Sequence, residues 1–355
     1  MTHVSAPGKL MIAGEWSVLE PGNPCIVAAV DKRVHAEVHK SDKLVIELKD
    51  FNKKTTGSFI GGGIKWDSDD KVFAFAKAAV ETTLKFLGKT EAFRLVTYGS
   101  SDMEINGAKL GFGSSAAAIV AMNHAILRFF SYDDAKFTVK LYKLGTIANY
   151  IAQGKVGSSF DIAASVYGNV LVYERFDPKW LDVAMVAKNI ADIVSEKWPG
   201  FRAKPMEIPR GLKLLVAYSG KPASTTGMIE KMKQFKVKNA EEYVRIVSDI
   251  TSIVQLLTVK WTDNAAVMRA IKDNRQKLSE LTQLSGVPVE TEELKEMARL
   301  ADEAGGAGKL SGAGGGDCGI ALCFNSVVEK KIKQAWKKAG FPIIDVEIGE
   351  GSREE

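Results

Sequence analysis

The sequence predicts an α+β fold of two domains with a ligand cleft between them. Three observations carry that prediction. Strand-like runs crowd the N-terminal residues 1–60, and helices and strands then mix through both halves. A stretch at 177–211, holding Pro178, Pro199, Pro205 and Pro209, separates 1–176 from 212–355. Small residues predict three loops: Ala6-Pro7-Gly8-Lys9-Leu10, Gly111-Phe112-Gly113-Ser114-Ser115-Ala116-Ala117 and Ser311-Gly312-Ala313-Gly314-Gly315-Gly316-Asp317. A cleft between domains is a usual place for a small-molecule site.

In chain order, apolar or alternating runs at 26–30, 34–38 and 44–48 predict strands. His35 and His39 fall in an alternating run, so their spacing is a strand's and not a metal-binding helix's. Gly61-Gly62-Gly63 predicts a turn, because no capped helix follows it. Residues 71–87 predict a helix and 93–97 a strand. Residues 114–130 are alanine-rich and free of glycine and proline, a clear helix whose opening serine pair can cap it. A second helix is expected at 137–153, a short apolar one through Val166, and a strand at 170–173. Beyond the proline stretch come a strand at 212–218, mostly helix from 238 to 304, a strand at 319–324, a helix at 327–339 and a strand at 343–348. The lysines of 330–338 read as the wet face of that helix, since Ile332, Ala335, Trp336 and Ala339 recur at helical spacing. The tail after Gly349 is expected to be loose.

Composition excludes several classes. The 355 residues carry 48 basic and 43 acidic side chains, a net charge of +5. That suits anionic small substrates and is too weak a bias for nucleic acid. Three cysteines without a CxxC pattern and four histidines propose no zinc cluster and fit a reducing compartment. Cys318 reads as a small packed residue. No apolar run is long enough to span a membrane. The start, Met1-Thr2-His3-Val4, lacks a basic-then-apolar leader. A cytoplasmic protein, monomer or homodimer, is the expectation.

Glycine lets a backbone approach a ligand closely, and clustered N–H groups at a helix N-terminus hold anions. Taken alone, Gly-Phe-Gly-Ser-Ser could be an ordinary helix cap. It is neither a P-loop with its Gly-Lys-Ser/Thr nor a dinucleotide fingerprint. Three such clusters together point to a nucleotide-dependent phosphotransferase, with Ser114 or Ser115 available to a Mg²⁺ ion beside a phosphate.

The three clusters, in order and at suitable spacing, resemble the three motifs of the GHMP kinases, over essentially the whole chain. Ala13-Gly14-Glu15-Trp16-Ser17-Val18-Leu19-Glu20-Pro21-Gly22 and Gln153-Gly154-Lys155-Val156-Gly157-Ser158-Ser159-Phe160-Asp161 narrow the resemblance to the phosphomevalonate kinases. That group usually has Gly-Ser-Gly-Phe-Asp, and Ser159 replaces its middle glycine here.

The resemblance implies a GHMP-like two-domain fold, ATP and Mg²⁺ as cofactors, and 5-phosphomevalonate as the acceptor. It implies Lys9 and Asp161 as catalytic residues. Gly111, Gly113, Ser114, Ser115 and Ala116 would hold the nucleotide, with Ser114 and Ser115 near the metal. Gly312, Gly314 and Gly315 would shape the site near the transferred group. Ser158 and Ser159 would meet the acceptor. Lys155, Lys221 and the hydroxyl-rich turn with Ser224 are candidates for its phosphate or carboxylate. Glu15 could touch Mg²⁺ or substrate, or buttress Lys9. Asp317 is expected to tie its own glycine loop, and the adenine pocket to fall within 60–110. A phosphate acceptor is largely dianionic at neutral pH and has little need of a base. Asp161 is therefore expected to orient Lys9 or the metal rather than chiefly to take a proton. The alternatives are another GHMP enzyme on a mevalonate-like acceptor, a mevalonate kinase or a decarboxylase, and a nucleotide-binding sensor without turnover. The Gly-Ser-Ser-Phe-Asp segment argues against the former, and intact Lys9 and Asp161 against the latter.

Overall fold

The computed structural model describes residues 1–100, 103–105, 108–154, 157–223 and 225–355. Its larger sheet has nine strands and is organised by one long strand, Pro24–Lys40. Thr2–Ala13 pairs antiparallel along one edge of it, and Phe93–Gly99 and Val170–Glu174 share the other. Leu44–Leu48 joins Phe93–Gly99 in parallel, and the hairpin Lys53–Ile60/Gly63–Trp66 continues the sheet. Its turn falls at Gly61 and Gly62, as the triple glycine predicts.

The helices Ser114–Phe129 and Phe160–Tyr167 lie on Thr2–Ala13 and Pro24–Lys40, and Ala74–Leu87 and Phe137–Ala152 pack on them. Alanine makes this close contact possible: Ala116, Ala117, Ala121 and Ala125 are all buried. The smaller sheet has four antiparallel strands in the order Ala307–Leu310, Cys318–Cys323, Lys213–Tyr218, Ile343–Ile344. Glu292–Glu303 and Ser326–Lys338 cover it, while Ala240–Val259 pairs with Asn264–Ser285. In Ser326–Lys338 the lysines face outward and Ile332 and Trp336 are buried, as the spacing predicts. No helix among the described residues is long and apolar enough to cross a membrane.

Three expectations are corrected. The stretch Ala6–Leu10 is no loop but part of the strand Thr2–Ala13, with a register shift between Pro7 and Gly8. A bulge absorbs the two strand-breaking residues. The segment 177–211 does more than connect. It supplies the helices Pro178–Ala187 and Ile190–Ser195 and an edge strand, Arg202–Met206, to the larger sheet. Its Pro205 sits on that edge, where a missing N–H is tolerated.

The tail is docked. Arg353–Glu354 pairs with Thr2–Ala13, and Ile348 and Glu350 bridge to Val30 and Gly168. The Arg33 guanidinium donates to the carbonyls of Glu350 (3.0 Å) and Gly351 (2.8 Å) and to Ser5.

Beneath the tail, the His124 ring pairs through Nδ1 with Ser352 Oγ at 2.8 Å. Burial, then Arg128, depress its pKa from 6.5 to about 4. The unfolded chain therefore binds the extra proton first. Stability is expected to fall by about 3 kcal/mol as pH drops from 6.5 through about 4. Chemical denaturation at stepped pH should show that loss, and His124→Gln should flatten it.

Candidate active site

Lys9 is placed by backbone lacing. A Cβ on Gly8 would stand 2.8 Å from Phe112 O, so only glycine lets the strand approach the middle cluster this closely. The Lys9 N–H then donates to Phe112 O (2.8 Å), and Nζ donates to Gly111 O (2.8 Å). Nζ also lies 5.7 Å from the centroid of the Phe160 ring. Burial lowers the Lys9 pKa below its usual 10.5, against the opposing pull of Asp161, Asp317, Cys318 and Glu15.

Gly111 and Gly113 both have positive φ, 74° and 75°. Gly111 also has no room for a side chain, because Asp317 lies against it; an added Cβ would stand 2.4 Å from Asp317 Oδ2. Gly113, and not the serine pair, is the N-cap of Ser114–Phe129, and no side chain caps that helix. This corrects the capping expectation: Ser114 and Ser115 are the first two helical residues, and their hydroxyls are free of capping duty. The first-turn N–H groups of Ser114, Ser115 and Ala116 have no intrahelical partner, as at any helix start.

Two cavities flank this loop. One, of 540 Å³, is lined by Ser114, Ser115, Ala118 and Met122 on one side and by Lys71, Val72, Phe75, Thr97 and Gly99 on another. The second, of 590 Å³, holds Lys9, Gly111, Gly113, Ser158, Asp161, Gly312, Gly314 and Asp317. Phe75 lines both. The glycine loop thus stands where one cavity gives way to the other.

Asp161 lies in the first turn of Phe160–Tyr167, where the helix dipole favours its anion. Its Oδ1 accepts from Ile162 N at 2.9 Å. Burial nevertheless raises its pKa above 3.8, partly offset by Lys9. Ser159, the N-cap of that helix, has φ 61°. This left-handed position favours glycine and strains a serine. Ser159→Gly is expected to raise stability by about 1 kcal/mol, read as a shifted denaturation midpoint.

The third cluster closes the second cavity. A Cβ on Gly312 would stand 3.9 Å from Lys9 Nζ. Ser311 Oγ accepts from Met11 N (2.8 Å), and Trp16 Nε1 donates to Ala313 O (3.2 Å). Gly314 lines the cavity, and the Gly315 N–H donates to Val289 O at 3.1 Å. Asp317 does more than tie its own loop. Its Oδ1 accepts from Ala223 N at 2.9 Å, so it joins the turn after Lys213–Tyr218 to the loop at Gly111.

Other predicted residues sit differently. Glu15 borders the cavity, but its carboxylate is fully buried in an ion pair with Lys309 and accepts from Asn274 Nδ2 at 3.2 Å. Lys221 is exposed and pairs with Glu293. Ser158 lines the second cavity, and its carbonyl accepts from Tyr173. Lys155 and Ser224 lie outside the described residues. Sequence reading missed Phe75, Asn149 and Arg175. Arg175 donates to Leu19 O and to Gly157 O (2.8 Å), holding two loops of the second cavity together. Only the lone amide of Asn149 in an apolar helix was a readable signal.

Known proteins resemble this chain in family and fold. The GHMP kinase N-terminal domain model matches residues 74–169, and the GHMP kinase C-terminal model matches 254–342. A phosphomevalonate kinase of Streptomyces sp. is 31% identical, over 94% of each chain. The crystal structure of the Lin0012 protein from Listeria innocua superposes with a TM-score of 0.93 at 30% identity, covering 99% of both chains. Streptococcus pneumoniae phosphomevalonate kinase, in complex with phosphomevalonate and AMPPNP, shares the fold with a TM-score of 0.86 at 24% identity, over 98% of this chain and 99% of that one. Matched in both halves and aligned with a relative over nearly its full length, the chain belongs to the GHMP kinase family.

Proposed function

We propose that the protein transfers the γ-phosphoryl group of ATP to 5-phosphomevalonate, giving 5-diphosphomevalonate and ADP. The observation that carries this reading is the meeting of two cavities at Gly111–Gly113, with Lys9 and Asp161 on the acceptor side. The phosphomevalonate kinases among the relatives support the choice of acceptor.

An oxygen of the acceptor phosphate forms the new P–O bond as the bond to the β-phosphate oxygen breaks, and ADP leaves with that electron pair. ATP occupies the 540 Å³ cavity, with its phosphates against the N–H groups of Ser114, Ser115 and Ala116. The acceptor occupies the 590 Å³ cavity.

Lys9 bridges the two anionic partners and offsets the charge that gathers between them. A dianionic phosphate needs no base, so Asp161 holds Lys9 charged and aimed. Gly312 lets the third loop close over Lys9. The uncapping hydroxyls of Ser114 and Ser115 are hard oxygen donors that would fit Mg²⁺. Bound there, Mg²⁺ would neutralise phosphate charge.

ADP release measured with mevalonate, 5-phosphomevalonate and 5-diphosphomevalonate as separate acceptors tests this. Turnover is expected with 5-phosphomevalonate alone. Preference for mevalonate would move the protein to another branch of the family.

A further inference from the structure

Asn149 lies in the last turn of Phe137–Ala152, among the buried residues Thr146, Ile147, Ala148 and Tyr150. Its side chain is 2% exposed, and its Oδ1 has no hydrogen-bond partner. A buried amide left unpaired is unfavourable, and native interiors rarely keep one without a reason. Asn149 also lines the cavity that holds Lys9 and Asp161. The same cavity is lined by apolar Met11, Trp16, Val18, Leu19 and Phe160 and by the uncharged polar Gln153, Ser158 and Ser311. A largely apolar lining with a few convergent polar groups is the make-up of a site in which those groups fix orientation.

Charge handling sits elsewhere in the same cavity, with Lys9 beside Gly111, Gly113 and Gly312. The uncharged amide suits the end of the acceptor remote from phosphoryl transfer. In 5-phosphomevalonate that end carries a tertiary hydroxyl and a carboxylate. An amide Nδ2 can donate to either. We infer that Asn149 binds the hydroxy-acid end of the acceptor and thereby sets acceptor affinity; this rests on the function proposed above.

The structure supplies its own control. Asn123, on the neighbouring helix Ser114–Phe129, is fully buried, and both of its amide atoms lack partners. It is not among the residues that line either cavity.

The test is steady-state kinetics with ATP and 5-phosphomevalonate, beside thermal unfolding, for the wild type, Asn149→Leu, Asn149→Ala and Asn123→Leu. In Asn149→Leu the KM for 5-phosphomevalonate is expected to rise roughly 10- to 100-fold, with the KM for ATP unchanged. Its Tm should not fall, because the lost amide had no partner. Asn149→Ala should repeat the acceptor defect, so a repacking failure with leucine does not decide the matter. Asn123→Leu should leave both KM values unchanged. An acceptor KM within about 2-fold of wild type in both Asn149 variants would overturn the assignment, as would an equal rise for ATP. A wild type that forms no product from 5-phosphomevalonate would instead bring down the function reading, and this inference with it.

Discussion

Lys9→Met is expected to lower kcat by roughly 10²- to 10³-fold while leaving the fold intact. The lysine is held at Gly111 by a 2.8 Å hydrogen bond and lines the same cavity as Asp161, so its charge serves the site more than the core. Burial works against the Lys9 cation, and the nearby Asp161 and Asp317 offset that cost only in part.

Asp161→Asn should lose less, roughly 10- to 100-fold. A true general base would cost up to about 10⁴-fold, and a phosphate nucleophile does not need one. The pH profile gives a sharper test. Burial raises the Asp161 pKa and lowers that of Lys9, so the two limbs of kcat against pH should stand closer together than 3.8 and 10.5. Asp161 holds the Lys9 pKa up, so Asp161→Asn should move the alkaline limb to lower pH. An alkaline limb that stays in place would mean the two groups do not act as a pair.

The second large effect is on stability. Lys309→Met is expected to destabilise the protein by about 3–5 kcal/mol, because it strands the Glu15 carboxylate inside. Both side chains are fully buried, and the pair ties the loop after Thr2–Ala13 to Ala307–Leu310 in the other sheet. Adding Glu15→Leu removes the stranded charge and should recover most of the loss, since paired removal of a buried ion pair is often close to neutral. Equilibrium denaturation of the two single variants and the double variant measures this. Strictly additive losses would show that Glu15 and Lys309 do not depend on each other.

These contacts also explain what could be read in advance. The helix opening at Ser114 was legible because its alanines and its lack of glycine and proline are local properties. The strand Thr2–Ala13 was hidden by Pro7 and Gly8, which read as breakers until a bulge accommodates them. Lys9 and Asp161 were found through motifs, but the placing of Lys9 depends on Gly8 meeting Phe112. Glu15 reads from sequence as a group that could touch Mg²⁺ or substrate or buttress Lys9, and its ion pair could not be read because the partner lies 294 residues away. The tail looked loose for the same reason: Arg33, which holds it, is separated from Glu350 by 317 residues. Ser114 seemed a cap because nothing local shows that Gly113 takes the left-handed position itself. Local periodicity therefore gave the elements, while long-range ion pairs and backbone lacing decided how side chains near the site are used.

The most direct measurement is ³¹P NMR of the reaction with ATP, Mg²⁺ and 5-phosphomevalonate, run beside mevalonate and 5-diphosphomevalonate. The account predicts that the monoester singlet of 5-phosphomevalonate gives way to a diphosphate pair of doublets, and that neither other acceptor is consumed. A monoester formed from mevalonate, or carbon dioxide released from 5-diphosphomevalonate, would contradict it.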